Sequence, residues 1–138
     1  MVKRYVEICN PIEYSTTGTT KIAAKGMIYD YEFYVLDYGL HPCGYVRIPE
    51  GHPYFGSIKM LNNMAIRCHG GITYAKRTLI VSPNKMEKLT GWFIGWDYAH
   101  SPKDHVCTNE NNGGRKWATE EIIKECEDVI RQLIEVAK

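Results

Sequence analysis

No run in this chain approaches the ~20 consecutive apolar residues that span a bilayer, so the sequence predicts no membrane-crossing helix. Met1-Val2-Lys3-Arg4-Tyr5 brings two positive charges with no apolar stretch behind them, which is not the pattern of a secretory signal. Charge of one sign is also lacking. Seventeen Lys and Arg against sixteen Asp and Glu leave a net charge of +1, which disfavours a nucleic-acid partner held by phosphate neutralisation. None of the five cysteines forms a Cys-x-x-Cys pair. An odd number without an export signal reads as reduced thiols in a cytoplasm. Phe is scarce, with three Phe against ten Tyr and three Trp. Most rings therefore carry a polar handle, which suits pockets, interfaces and half-exposed strands. No internal repeat is visible, and 138 residues at 44% hydrophobic suffice for one folded domain over 1–138.

What is present predicts an α+β domain, mostly antiparallel sheet with one long C-terminal amphipathic helix packed on it. Short β-forming runs at Tyr5–Cys9, Lys21–Ala24, Gly44–Ile48, Ala65–Cys68, Ile72–Ala75 and Thr78–Val81 are separated by Gly, Pro and Asn. Met27–Tyr38 reads as one long or bent strand, or as a hairpin turning near Asp30. Gly91–Tyr98 is the most apolar strand and is expected to be central. Pro49–Gly56 reads as an ordered loop, Lys59–Met64 as a helical turn, and Ala99–Gly114 as a long polar loop. Thr119 is placed to cap the last helix, with Glu120 and Glu121 at its positive end. Ile122, Cys126, Val129, Ile130, Leu133 and Ala137 then form its apolar stripe.

Chemistry-bearing side chains concentrate in three segments. In Gly44–Pro53, His52 lies between Gly51 and Pro53, so its backbone is constrained; it either contacts a ligand or bonds within its own loop. In His69–Tyr74, Gly70 and Gly71 could expose successive N–H groups to a phosphate, with His69 as donor, acid or base. The plainer reading is a tight turn. In Trp92–His100, Asp97 follows an apolar strand and either orients the His100 imidazole or caps a turn through the amides of Ala99 and His100. Asp104 and His105 extend this cluster within a loop. His52, His69, Asp97 and His100 lack the spacing of any familiar metal site, so neither metal nor other cofactor is expected. Cys43 and Cys68 read as small core residues rather than nucleophiles.

Taken as a set, Gly44-Tyr45-Val46-x-x-Pro49-x-Gly51-His52-Pro53, His69-Gly70-Gly71-Ile72-Thr73-Tyr74 and Trp92-Phe93-Ile94-Gly95-Trp96-Asp97-x-Ala99-His100 resemble a family of small bacteriophage and prophage proteins. The resemblance covers roughly residues 43 to 137. Similar proteins often follow Ala-His with Gly-Asp, where this chain has Ser101-Pro102-Lys103-Asp104. The resemblance implies a small protein of the host cytoplasm that acts on a host pathway, and it brings no activity with it. The expected function is capture of a small anionic, nucleotide-like ligand, such as a host defence signal, by Tyr45, Arg47, His52, His69, Gly70, Gly71, Tyr74, Trp96, Asp97 and His100, with Arg67 as another source of charge. The alternatives are a hydrolase of such a ligand using His69, Asp97 and His100, or an inhibitor that binds a host protein by its aromatic surface. Homo-oligomerisation is compatible with the Tyr and Trp excess.

Overall fold

The computed structural model describes residues 4–61, 65–82, 86–100, 103–107 and 114–138. It contains β1 (Arg4–Ile8), β2 (Lys21–Ile28), β3 (Tyr31–Asp37), β4 (Pro42–Arg47), β5 (Tyr74–Ile80), β6 (Lys88–Asp97) and α1 (Thr119–Val136). The strands form one antiparallel sheet in the order β1-β2-β3-β4-β6-β5, and α1 lies across β2, β3 and β4. The α+β architecture expected from the sequence is therefore observed. No helix among the described residues is long and apolar enough to cross a membrane.

Period-two alternation along the strands builds two cores. Phe33, Val35, Val46, Ile94 and Trp96 point towards α1, where Ile122, Cys126, Val129, Ile130 and Leu133 meet them. Leu36, Cys43, Tyr45, Leu79 and Phe93 form a second cluster on the opposite face. Glycine opposite an aromatic residue joins β4 to β6 on both faces. Gly44 pairs with Trp96 and Tyr45 with Gly95, and a Cβ on either glycine would lie within 2.6 Å of the facing ring.

Of the two readings of Met27–Tyr38 the hairpin is the one observed, and four other local expectations change. Met27–Tyr38 is a hairpin turning at Tyr29-Asp30, both with positive φ (50° and 70°), as a two-residue turn matched to strand twist requires. The two apolar pieces Ile72–Ala75 and Thr78–Val81 belong mostly to one strand, β5, interrupted by a bulge between Lys76 and Thr78. Ala65–Cys68 is a bend rather than a strand. Ala118, not Thr119, is the helix cap: it has no side-chain acceptor, and Glu121 Oε1 accepts its N–H at 2.9 Å, the carboxylate half of a capping box. Ile123 joins the buried stripe, whereas Ala137 is exposed. The reading of Lys59–Met64 as a helical turn falls partly outside the described residues, as do parts of Ala99–Gly114.

Residues 48–73 run from the end of β4 to the start of β5, passing over the helix side of the sheet and contributing Ile48, Met60, Ile66 and Ile72 to the main core. Connections this long with no helix or strand among their described residues are uncommon in compact folds and often functional. Among the described residues, helix α1 holds the crossover at three points through side-chain hydrogen bonds. Gln132 takes both the N–H and the C=O of Arg67, each at 2.7 Å; Glu125 Oε1 accepts the His69 N–H at 2.6 Å; and His52 Nε2 bonds the Leu133 carbonyl at 2.8 Å.

Candidate functional site

The end of the crossover meets the end of β6 at two imidazoles. His69 Nε2 lies 2.7 Å from Asp104 Oδ2, and His100 Nε2 lies 3.3 Å from Asp97 Oδ1. The second contact is close enough for ion pairing but is not aligned as a hydrogen bond. The two rings stand edge to face with centroids 5.5 Å apart. Among the described residues, no hydrogen bond reaches Nδ1 of either ring. Access is graded, the side chains of His100, Asp97 and His69 being 38%, 27% and 20% exposed.

Asp104 is the hub. Its Oδ2 accepts from His69 Nε2 and, at 3.0 Å, from the His100 amide, while Oδ1 accepts from Trp117 Nε1 at 2.8 Å. Burial pushes the Asp104 carboxyl up, but hydrogen bonds from His69, the His100 amide and Trp117 outweigh it and hold the group below the usual carboxylate value. An ionised Asp104 fixes the His69 proton on Nε2 and leaves a lone pair on Nδ1. The ring is held flat by stacking on Tyr98 (4.7 Å, 9°) and edge-on by Trp117 (4.9 Å). The Arg115 guanidinium lies 3.9 Å from the Trp117 ring centroid and is ion-paired with Glu121.

The Gly70-Gly71 pair is a turn. Gly71 donates its N–H to the Cys68 carbonyl at 3.0 Å, and both glycines have positive φ (72° and 83°). The amide proposed as one arm of a phosphate cradle is thus already used. Gly70 has a different task, since a Cβ there would come within 2.0 Å of His100 Nε2. His100 can occupy its place only because residue 70 has no side chain.

Of the residues singled out from the sequence, the structure brings His69, Gly70, Asp97 and His100 together, with Gly71 beside them. It separates the rest. His52 is buried with both nitrogens bonded, Nδ1 accepting the Tyr54 N–H at 2.9 Å and Nε2 bonding Leu133 O. Trp96 is buried over Gly44 and donates to Tyr98 OH at 3.0 Å. Tyr45 lies on the opposite face, bonded to Tyr38 OH at 2.7 Å and edge-on to Tyr74. Arg47 pairs with Glu32 at 3.4 Å in a hollow of about 460 Å³. That hollow adjoins Gly91, six residues before Asp97 on β6, hence roughly 20 Å from the histidines. Arg67 is engaged through its backbone by Gln132, and among the described residues no ion pair links its side chain to the site.

Asp97 does part of each job expected of it, accepting the Ala99 N–H at 3.1 Å and sitting beside His100, but the His100 amide goes to Asp104. Asp104 and Trp117 are the functional residues that sequence reasoning undervalued. The available signal was Asp104 four residues beyond His100, where its N–H reaches the His100 carbonyl and closes a turn at 3.0 Å. Among the described residues, no group of three or more His, Cys, Asp or Glu is arranged to hold a metal ion. All five cysteines are free, and burial pushes the Cys68 thiol up to about 12, the opposite of an activated nucleophile.

Family models, curated proteins and solved structures were all searched, and none matches this chain.

Proposed function

We propose that the chain is a small acid–base hydrolase that cleaves a phosphoester bond in an anionic, nucleotide-like ligand. One observation carries this reading. Two imidazoles 5.5 Å apart each have a carboxylate at Nε2, and among the described residues neither has a hydrogen-bond partner at Nδ1. A neutral imidazole accepts a proton from the attacking oxygen while an imidazolium donates one to the leaving oxygen, and such a pair supplies both in one step. His69, with its proton fixed on Nε2 by Asp104, is the base. The more exposed His100, beside Asp97, is the acid.

Simple capture of the same ligand is less well supported. Its proposed phosphate cradle has spent the Gly71 amide, and Tyr45, Arg47, His52 and Trp96 do not face the histidines. In the phage setting that the sequence resembles, hydrolysis of a nucleotide-derived host signal would serve the purpose that capture was expected to serve.

The test uses 2′,3′-cyclic AMP and a linear dinucleotide as probes. Each is incubated with the protein, which is then heat-denatured, and the nucleotide is analysed. Cleavage by wild type, reduced at least about 100-fold in His69→Gln and His100→Gln with their folds retained, is the expected result. Recovery of intact probe that had been retained by the protein would replace hydrolysis with capture. A probe neither retained nor altered would remove both readings.

A further inference from the structure

The two edges of the sheet differ. β5 is protected: a bulge between Lys76 and Thr78 breaks its register, and Lys76 and Arg77 stand at that break. Bulges and cations are the usual means by which an edge refuses a further strand. β1 has neither bulge nor proline. It pairs with β2 in unbroken register from Arg4 to Ile8 and, among the described residues, has no strand on its other side. It also buries little, since only Val6 is even partly covered. Its apolar residues face water on both sides: Tyr5 is 55% exposed, its cross-strand neighbour Met27 40%, and Ile8 53%.

We infer that β1 is an interface on which a second copy of this chain pairs, antiparallel and two-fold about Val6, to make one continuous sheet through the dimer. The occupant follows from the strand's own sequence. With Val6 on the axis, Tyr5 of each copy opposes Glu7 of the other, and Arg4 opposes Ile8, so no two like charges meet. Tyr5 OH already lies 3.1 Å from Glu7 Oε1 within one copy, so the hydroxyl and carboxylate share the face on which the second copy repeats them. Pairing supplies acceptors and donors to the free edge and covers Tyr5 and Ile8. Because β5 is blocked, addition stops at two rather than growing into a fibre. This interface is independent of the acid–base reading of the histidines.

Sedimentation equilibrium of the intact chain should give twice the chain mass, and Val6→Lys, which sets two ammonium groups face to face on the axis, should give a monomer with an unchanged far-UV spectrum. A cross-link gives a second readout that does not depend on the lysine variant folding. In a Cys9→Ser background, Val6→Cys places two Cα atoms about 4.5–5.5 Å apart across the axis, within disulfide reach. It should therefore oxidise to a linked dimer, while Tyr5→Cys, diagonal to its own copy, should not. A monomeric wild type, a dimer that survives in a folded Val6→Lys variant, or equal cross-linking at positions 5 and 6 would each overturn the interface.

Discussion

Among the described residues, Asp104 offers two carboxylate oxygens to three donors: the His69 ring on the crossover, the His100 amide after β6, and Trp117, which leads into the helix. Asp104→Asn keeps the shape but replaces an acceptor with a donor, so one of the three partners loses its bond. The expected cost is roughly 2 kcal/mol of unfolding free energy, together with loss of the fixed His69 tautomer and hence of turnover. The acid limb of stability tests the same residue. A carboxyl held lower in the folded than in the unfolded chain adds stability that is complete above its unfolded value and is lost as pH falls through the lowered folded value. Urea unfolding below the ordinary carboxylate range should therefore be less pH-dependent in Asp104→Asn than in wild type. His52 is the contrasting residue: its Nδ1 accepts the Tyr54 N–H within its own loop, and its Nε2 ties that loop to the last turn of α1. His52→Ala should lose about 2 kcal/mol of stability while leaving probe turnover per folded molecule unchanged, as thermal melts and rates measured together would show.

At the scale of elements, glycine decides more than any charged residue does. Gly70→Ala would push a methyl into the His100 ring and require a φ of 72°, so turnover should fall steeply while the circular dichroism spectrum stays native. The Tyr29-Asp30 turn is the reverse case, since neither residue favours its positive φ. Asp30→Gly should raise stability by about 0.5 kcal/mol, measured by the denaturation midpoint. These positions also mark what could be read from the chain alone. Helix α1 was legible because its three- and four-residue apolar spacing depends on its own side chains, and β6 because its run of Trp, Phe and Ile is bounded by glycine and a charge. The Tyr29-Asp30 hairpin lacked the Asn-Gly signal that such turns usually carry. β5 read as two pieces because its bulge places Lys76 and Arg77 where alternation would call for a pattern, and pairing with β6 overrides that local interruption.

For the molecule as a whole, the crossover 48–73 determines which histidine faces solvent. His52 and His69 are both neighbours of glycine in Gly- and aromatic-rich segments, and nothing local distinguishes them. His52 passes beneath the C-terminal turn of α1 and is sealed there, whereas His69 emerges where the crossover meets β6. Long-range placement also sends Arg47 to the far end of the sheet and Tyr45 to its other face, so a ligand set that looked coherent in sequence divides between separate regions. The two imidazoles that remain are the centre of the account, and nitrogen-15 NMR of histidine-labelled protein reads them directly. The account predicts that at mildly alkaline pH His69 carries its proton on Nε2 with Nδ1 bare, and that added inorganic phosphate perturbs the His69 and His100 Nδ1 resonances together while His52 stays fixed. A proton on His69 Nδ1, or a phosphate response that involves neither His69 nor His100, would contradict it.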